Sequence, residues 1–432
     1  MEEFFYYWKV VGSDKLFRIF WHFFIFEFTR YLLLDYLILG MHAIKRWRER
    51  SILEEARREL HLRQPLVSII APGKNEGGNY YNLVRSLNEQ TYRNYEIILV
   101  DDGSDDDSKI IGRDMEKHGL VDLFISNDFR GGKASAANLA LKYARGDYIV
   151  HIDADCSFDS DAIENIVVPF FVDEKIGAVA GNVGVRNADA GMAPTLQSIE
   201  YACSITVGRM VSSYLDLLRI VSGAFGAFRK DITDRIGGWD IGPGLDGDIT
   251  VKIRKMGYTI AFEPNALCLT NVPVKFSILA KQRQRWNKSL IRFRLRKHIN
   301  LFFPDSAFTF RNSLSALDNI FYNLILDVTW VIYLADMAVN HSDMLLTFIL
   351  PCNYLIYTAS TFMQYMVYLM MAEDRSEKWK LLWYVPLCTV YTGFFLRIVR
   401  TIAYIKEFFF FSSYKDPWNP EKSSKFARKM GI

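Results

Sequence analysis

Three long apolar stretches occupy the last third of the chain, at about 314–339, 345–371 and 380–404. Each is long enough to cross the hydrocarbon core of a bilayer, which is about 30 Å thick, as a helix. The bilayer core offers backbone groups no hydrogen-bond partner, so spanning segments must be helices or closed barrels. We therefore predict three transmembrane segments within residues 313–405. An alternative is that one segment is re-entrant or interfacial, and residues 397–412 could lie along the membrane surface.

A fourth apolar stretch lies near the N-terminus and predicts a further transmembrane helix over residues 16–44. Four charged residues interrupt it, namely Arg18, Glu27, Arg30 and Asp35. Charges inside a span are costly, so we expect them to pair or to face other helices. An alternative is a helix that lies on the membrane surface. The arginine-rich linker that follows, at 45–64, belongs in the cytoplasm by the positive-inside rule.

The composition indicates one soluble domain joined to a few spans. Half of the 432 residues are apolar, and the mean hydropathy is only +0.03. The net charge of +3 gives no reason to expect a nucleic-acid partner. The five cysteines are scattered without a CxxC motif, so neither a zinc site nor a disulfide framework is indicated.

Residues 65–270 have the pattern of an α/β domain with a Rossmann-like, mostly parallel sheet. Short apolar runs alternate with segments that have helical patterns. Continuous apolar strands are typical of parallel sheets that are covered by helices on both faces. The predicted strands are 66–71, 95–102, 123–126, 147–155 and 176–181. In such sheets, ligands bind beyond the carboxyl ends of the strands.

Acidic residues follow two of these strands. Asp101 and Asp102 end the second strand, and Asp153 and Asp155 end the fourth. Residues i and i+2 of a strand share a face, so Asp153 and Asp155 can point together. Two carboxylates suit a Mg²⁺ or Mn²⁺ ion that also holds a diphosphate. A DxD triplet alone is common, but its position at a strand end favours a metal site.

A glycine pair precedes Lys133 in the segment "RGGKASAAN". The glycines permit a tight turn, and the lysine could meet a phosphate at a helix N-terminus. The segment is not a P-loop. The alternative is an ordinary turn with a solvated lysine.

Two further acids, Asp246 and Asp248, stand where the loop "GGWDIGPGLDGD" leads into a predicted helix. An acid just before a helix is most often an N-cap, and this explanation suits Asp248. Asp246 is less easily explained as a cap, which makes it a candidate for chemistry.

The segment "QRQRW", residues 282–286, lies in a basic run just before the apolar third. A basic amphipathic segment next to a membrane commonly binds anionic lipid headgroups. The surrounding arginines and lysines can bind lipid headgroups even if single residues of the segment have a different function.

Four motifs in this order resemble family-2 glycosyltransferases with the inverting GT-A fold: "APGKNEGGN…VDDGS", "HIDAD", "GGWD…LDGD" and "QRQRW". The full set is similar to the membrane-embedded processive branch, which includes hyaluronan, chitin, cellulose and poly-N-acetylglucosamine synthases. The resemblance covers about 65–300 by motif and the remainder by the layout of spans.

The resemblance implies a role for each matching residue. Asp246 would be the general base, and Asp153 and Asp155 would hold Mg²⁺ or Mn²⁺. Trp286 would stack on the acceptor sugar, with Ser222 and Gly223 beside it. The chain departs from the family at Leu245, where an acid is usual, so that acid's contribution is absent or comes from Asp248. The donor UDP-sugar would contact Pro72, Asn75, Glu76, Asp101, Asp102, Lys133, Asp153, Gln282 and Arg285.

We therefore expect a multi-pass enzyme of the cell membrane with a cytoplasmic catalytic domain. It would polymerise a UDP-sugar into a β-linked polysaccharide and extrude the growing glycan through its own channel, with a small partner subunit for regulation. Aromatic residues of the spans could line this channel, namely Trp330, Tyr333, Tyr354, Tyr365, Tyr384 and Tyr391. The expected segments are 1–15, 16–44, 45–64, 65–270, 271–312 with QxxRW, 313–405 and the basic tail 406–432.

Two other functions remain open at this stage. Transfer of one sugar to a membrane lipid, as in ceramide or diacylglycerol glucosyltransferases, differs from polymer synthesis in its product. An inactive transporter or scaffold would be expected to lose the acids, yet Asp102, Asp153, Asp155 and Asp246 are all present.

Overall fold

An eight-stranded sheet forms the centre of the α/β domain in a computed structural model, which describes residues 13–303, 309–372, 375–415 and 420–429. Most of the predicted segment 1–15 lies outside these residues. The strands are β1 Val67–Gly73, β2 Tyr95–Asp101, β3 Leu123–Ser126, β4 Tyr148–Ile152, β5 Ser157–Phe158, β6 Ile176–Val185, β7 Phe225–Arg229 and β8 Thr259–Thr270. Their order across the sheet is β3-β2-β1-β4-β7-β6-β8-β5.

The sheet is mixed, and its two halves differ. Strands β3, β2, β1 and β4 are parallel, as the sequence predicts. Strand β7 is antiparallel to both β4 and β6. It comes after a long helical excursion and enters the sheet from the opposite end. Strand β8 is parallel to β6, and β5 pairs antiparallel with β8.

Strand β4 ends earlier than predicted. Its last residue is Ile152, so Asp153 and Asp155 lie in the turn that follows. In that turn the Cys156 amide donates to the Asp153 carbonyl at 3.2 Å. The argument that residues i and i+2 share a strand face therefore does not apply to this pair.

Helices cover both faces of the sheet, each through an apolar stripe. Helix Gly77–Asn88 buries Tyr80, Leu83, Val84 and Leu87, which is the spacing of one helix face. On the other face, helix Lys133–Tyr143 buries mainly alanines, which allow close approach to the strands. The remaining α-helices of this domain are Arg50–Arg63, Ser108–Lys117, Ala162–Val167, Pro169–Val172, Met192–Tyr201, Gly208–Tyr214, Lys230–Arg235 and Leu245–Lys255, with a 3-10 turn at Ala188–Ala190 and a π-helical segment at Ala202–Val207.

Three helices in the described part of the chain are long and apolar enough to cross a bilayer: Phe310–Asn340, Ser342–Met371 and Arg375–Phe410. They coincide with the three apolar stretches of the sequence, and the prediction that all three span a bilayer stays a prediction. Between that domain and these helices lie helix Phe276–Ser289, the wider π-helical segment Leu290–Lys297 and the turn Ile299–Phe302. A short helix, Glu421–Lys429, follows the last of the long helices.

The N-terminal apolar stretch is also helical, over Ser13–His22, Phe23–Leu34 and Asp35–Arg48. Three of its four charges, those of Glu27, Arg30 and Asp35, meet opposite charges. Arg30 lies 3.5 Å from Asp35, and Glu27 lies 3.9 Å from Arg397 in the last long helix. Tyr36 donates to the Met363 carbonyl at 2.8 Å, so this helix packs against Ser342–Met371.

Candidate active site

The carboxylates that end β2 hold the loops around them. The Asp101 carboxylate is fully buried and accepts from the Ser104 amide at 3.1 Å and the Ser126 hydroxyl at 3.0 Å. Asp102 accepts from the amides of Gly131 and Gly132 at 2.6 and 2.8 Å. Gly132 has a φ of 91°, which favours glycine. The two aspartates thus fix the loop that leads to Lys133.

Pro72 and Asn75 lie at the end of β1, next to this loop. Asn75 has a φ of 61°, in the left-handed region that asparagine tolerates better than most residues. Its amide donates to the Ser104 hydroxyl at 2.7 Å, and its side-chain oxygen accepts from the Asp105 amide at 3.0 Å. These contacts join the ends of β1 and β2 into one rigid edge.

Glu76 precedes helix Gly77–Asn88 and accepts from the Asn79 side chain at 2.7 Å. Burial raises the pKa of Glu76 to about 7. The Asn79 hydrogen bond opposes this, and the charges of Asp155 and Asp153 add to it. Three acids therefore share one negative region, where a cation would relieve their repulsion.

Lys133 already places a positive charge in this region. Its Nζ lies 2.5 Å from an Asp153 oxygen, and about a third of each side chain is exposed. Burial lowers the pKa of Lys133, but the carboxylates of Asp153 and Asp246 outweigh burial, so the pKa is raised. The lysine is therefore charged, and it lies within electrostatic reach of both acids.

Asp155 is the second acid of the DAD turn. The Thr270 hydroxyl donates to it at 3.3 Å. Burial raises the pKa of Asp155, and the charge of Asp153 raises it further. No group of three or more His, Cys, Asp or Glu side chains in the described residues could hold a metal ion by itself. Two carboxylates completed by diphosphate oxygens are a fitting donor set for Mg²⁺ or Mn²⁺.

Asp246 stands in the first turn of helix Leu245–Lys255, which Gly244 caps with a φ of 79°. A Cβ atom on Gly223 would lie 2.5 Å from Asp246 Oδ1, so any larger residue there would displace the carboxylate. Among the described residues, the buried Oδ1 atom has no hydrogen-bond partner. Burial raises the pKa of this carboxyl, although the Lys133 charge and the Gly223 amide oppose the effect.

Asp248 has a different environment on the same helix. It is fully buried, lies 2.7 Å from Lys297 Nζ and accepts from His298 at 2.7 Å. Burial alone would raise the pKa of Asp248, but its hydrogen bond to His298 and the Lys297 charge hold it well below the usual range. Asp248 is inside the helix, so its interpretation as an N-cap is wrong. Its side chain is engaged away from Asp246, and Leu245 is buried in the core.

The "QRQRW" segment lies within helix Phe276–Ser289. Trp286 is 39% exposed. In the described structure, the buried Gln282 Oε1 has no hydrogen-bond partner. Arg285 lies near enough to Lys133 for its charge to lower the pKa of that lysine. Arg285 and Lys133 are therefore part of one electrostatic region, although they are 152 positions apart in the sequence.

A cavity of about 770 Å³ begins beside Gly244, passes Trp286 and continues between the apolar helices. Of the six aromatic residues named as channel candidates, Trp330, Tyr333 and Tyr354 line it. Tyr365, Tyr384 and Tyr391 are not part of its wall. The Asp246 helix and the membrane region thus share one continuous space.

The comparisons with known proteins agree with this architecture. The model of glycosyl transferase family 2 matches residues 68–237. A poly-β-1,6-N-acetyl-D-glucosamine synthase of Staphylococcus epidermidis is 30% identical over 302 residues, which are 68% of this chain and 69% of that one. One of the same name from Staphylococcus aureus is 35% identical over 198 residues, 45% of this chain and 47% of that one.

The chain belongs to glycosyltransferase family 2. A solved mannosyltransferase of Pyrobaculum calidifontis, in complex with GDP-Man and Mn²⁺, has a similar fold. Its TM-score is 0.53 at 22% identity, over 84% of this chain and 99% of that one. The predicted fold class, a GT-A domain with a helical membrane region, is therefore confirmed. So is the prediction of a family-2 glycosyltransferase of the membrane-bound branch that makes β-linked polysaccharides.

Sequence reasoning did not assign a role to His151, which holds the Gly223 backbone next to Asp246 in this family-2 site. His151 is buried in β4, and its Nδ1 donates to the Gly223 carbonyl at 2.7 Å. Burial and the Lys133 charge lower its pKa to about 3, so the ring is neutral. It therefore holds Gly223 against Asp246. The signal was a single polar residue in the apolar run "YIVHI", which alone is not specific.

Proposed function

We propose that the protein transfers N-acetylglucosamine from UDP-N-acetylglucosamine to the 6-hydroxyl of a growing β-1,6-linked chain. The names of its relatives suggest the sugar and the linkage. The observation that carries the proposal is the Asp246 carboxylate. The residue is half-buried, its buried Oδ1 has no hydrogen-bond partner among the described residues, and it lies near the Lys133–Asp153 pair and next to Gly247 of the cavity wall. An acceptor hydroxyl is the partner it lacks.

The donor would lie along the carboxyl edge of β1, β2 and β4. The loops at Asn75 and Asp102 are fixed by their own hydrogen bonds, so they offer a pre-formed surface to the nucleotide. Lys133 and Arg285 bring positive charge toward the diphosphate. Asp153 and Asp155 would hold the divalent ion, and a bound ion of this kind supplies charge stabilisation for the leaving diphosphate.

Asp246 would act as the general base. It removes the proton of the acceptor hydroxyl while that oxygen attacks the anomeric carbon. The bond between that carbon and the UDP oxygen breaks, and the leaving charge develops near Lys133 and Arg285. The raised pKa of Asp246 makes it a stronger base than an exposed aspartate. Attack opposite to an α-linked donor gives the β-linked product.

The acceptor would enter through the cavity and stack on Trp286, since an aromatic ring suits the apolar face of a sugar. Trp330, Tyr333 and Tyr354 line the same space farther into the apolar helices. This continuity supports extrusion of the product through the membrane region. Extrusion through this channel and a regulatory partner subunit are parts of the same proposal.

The last long helix, Arg375–Phe410, is proposed to lie along the membrane surface, and the other two to span. This helix lies alongside the QRQRW helix, and the two are in contact near both ends of that helix. Phe276 packs on Phe395 at 5.4 Å between ring centroids, and Lys406 donates to Gln284 at 3.3 Å. An extended lateral contact with a helix of the domain surface suits an in-plane orientation.

The far end of the helical region supports the same disposition. There, Ile19 and Phe20 pack with Tyr333, Met337 and Ile349. In the described residues, helix Arg375–Phe410 contributes nothing to this cluster. Its end instead returns to the catalytic side, where Glu407 accepts from Arg296 at 2.7 Å. Three spans, including Ser13–Arg48, would then leave the basic tail in the cytoplasm, as the positive-inside rule requires.

The activity is tested with the full chain in nanodiscs with Mg²⁺ or Mn²⁺ and a panel of UDP-sugars. We expect UDP release with UDP-N-acetylglucosamine and high-molecular-weight product that a β-1,6-N-acetylglucosaminidase degrades. A single-sugar product that requires added lipid would overturn polymer synthesis in favour of lipid glycosylation.

The membrane disposition is tested by labelling single cysteines in intact cells, in a variant without the native cysteines. We expect a cysteine at Ser342 to react with an impermeant maleimide, and one at Lys415 to react only after permeabilisation. Reaction at Lys415 in intact cells would mean that helix Arg375–Phe410 spans the membrane.

A further inference from the structure

Arg283, the second residue of "QRQRW", is held in a compact polar cluster in the wall of the cavity. Its guanidinium lies 2.9 Å from a Glu200 oxygen, and only 12 and 13% of the two side chains are exposed. The Tyr391 hydroxyl donates to the same Glu200 oxygen at 2.8 Å. Glu200 therefore joins the QRQRW helix to helix Met192–Tyr201 and to the last long helix.

The same guanidinium packs against two aromatic rings. Its central carbon lies 4.8 Å from the centroid of the Trp286 ring and 5.6 Å from that of Tyr201. Both arginine and tryptophan line the cavity, and Trp286 is the more exposed of the two. Arg283 thus has its charged end fixed by Glu200 while its flat surface supports the Trp286 indole.

This geometry constrains the indole. Trp286 stands near the end of its helix, with a ring that borders a cavity and therefore has space to turn. A guanidinium placed over an aromatic ring is attracted to its face, and this attraction favours one ring orientation over the others. A lysine keeps the charge but lacks the planar group that stacks on a ring.

We propose that Arg283 is a positioning residue for acceptor binding: clamped by Glu200 and Tyr391, it holds the Trp286 ring in the orientation that receives the acceptor sugar. This rests on the proposed function through the acceptor role of Trp286. Because Tyr391 belongs to helix Arg375–Phe410, the clamp also links the acceptor platform to the membrane region.

The test is a double-mutant cycle on initial rates with a β-1,6-linked N-acetylglucosamine oligomer as acceptor. We expect Arg283→Lys to raise the KM for the oligomer about three- to tenfold, the range of a lost cation–π contact, with the KM for the UDP-sugar unchanged. In a Trp286→Ala background, Arg283→Lys should change the KM for the oligomer less than twofold, because the ring that Arg283 positions is gone.

Arg296→Lys is the matched control. Arg296 also pairs with a buried glutamate, Glu407 at 2.7 Å, and stacks on an aromatic ring, Phe411 at 3.9 Å. Arg296 connects the segment Leu290–Lys297, which directly follows the QRQRW helix, to the last long helix, and it does not contact Trp286. We expect Arg296→Lys to lower the thermal midpoint about as much as Arg283→Lys does while the KM for the oligomer stays within twofold.

Tyr391→Phe gives a second, milder variant that keeps the ring and removes only the hydroxyl held by Glu200. It should raise the KM for the oligomer in the same direction as Arg283→Lys, by a smaller factor. Collisional quenching of the Trp286 emission, taken as the difference from the corresponding Trp286→Phe variant, should increase in Arg283→Lys because the ring is freed.

The outcomes separate the two proposals. If Trp286→Ala leaves the KM for the oligomer unchanged, the acceptor role of Trp286 is wrong. If Trp286→Ala raises that KM but Arg283→Lys has the same effect in both backgrounds, the acceptor role stands and the positioning role is wrong. Equal quenching in wild type and Arg283→Lys would also overturn the positioning role.

Discussion

Asp246 and Asp248 lie in the same helical turn, yet they face two regions with opposite electrostatics. On the cavity side, Asp246 has a buried oxygen without a partner in the described structure, and its pKa is raised. On the opposite, anchoring side, Asp248 is held by Lys297 and His298, and its pKa is lowered. The first carboxylate costs the fold stability when it ionises, whereas the second contributes stability when it ionises.

The difference assigns separate tasks to the two acids. Asp248 fastens the catalytic helix to the segment that follows the QRQRW helix. Lys297 bridges Asp248 to Asp240 as well, so the loop before the catalytic helix is fixed from the same side. The stability contributed by the ion pairs of Asp248 can therefore offset the free-energy cost of ionising Asp246. Asp246 in turn retains the free oxygen that a general base needs.

Asp246→Asn should produce the largest effect. Loss of the base is expected to reduce turnover by about 10²–10⁴-fold, the usual range for general-base catalysis. Because the amide carries no charge to bury, the thermal midpoint at neutral pH should rise. UDP release and thermal unfolding measure the two quantities. Near-normal turnover would refute the base assignment.

Asp248→Asn should do the opposite to the fold. Breaking one side of a buried ion pair typically costs about 3–5 kcal/mol. Here Lys297 would keep only Asp240 as a partner, and His298 would lose its carboxylate. We expect a lower thermal midpoint and reduced yield, with residual turnover in the folded fraction. Stability equal to wild type would mean that the anchoring side does not hold the helix.

Gly223→Ala should act on the cavity side alone. Its Cβ would meet Asp246 Oδ1 at 2.5 Å and move the carboxylate. Since misplacement of a reacting group by about 1 Å can cost 10²-fold, we expect turnover to fall about 10- to 100-fold. Gly247→Ala is the control, because its nearest contact would be 3.7 Å and alanine favours the helix. Equal losses in both variants would contradict this reading.

The smallest expected effect is on pH dependence: Asp246 should set the acidic limb of turnover, and Asp248 should set the acidic limb of stability. Turnover should fall as the pH drops through the raised pKa of Asp246, above the ordinary aspartate value of about 3.9. The stability that Asp248 provides is present above the ordinary value and is lost only as the pH falls through its lowered pKa. An acidic limb of turnover that coincides with acid unfolding would remove the distinction.

The parallel half of the sheet could be predicted because its strands are continuous apolar runs, such as "EIILV" in β2. Strand β8 could not, because Pro264 and Asn265 interrupt it and its register with β6 shifts at Gly181/Asn182. Strand β7 was missed because small residues, "FGAFR", give a weak strand pattern.

For the site, the motif order predicted which residues to examine but not their surroundings. The sequence favoured Asp246 as the base, but the partners that hold Asp248, Lys297 and His298, lie about 50 positions later and could not be predicted. The roles of Glu200 and His151 could not be predicted for the same reason. Their partners, Arg283 and Gly223, are distant in the sequence, and a local sequence pattern does not reveal such contacts.

One apolar cluster limits where the gene of this enzyme can be divided, in evolution or in the design of chimaeras. Ala193, Leu196, Ile199 and Leu279 share a buried core with Tyr365, Leu369, Val385 and Cys388 of the apolar helices. A gene cut after residue 303 would release a catalytic half with that core surface uncovered, which favours aggregation. The two halves are therefore expected to be exchanged between genes only as a unit, and chimaeras should place their junctions elsewhere.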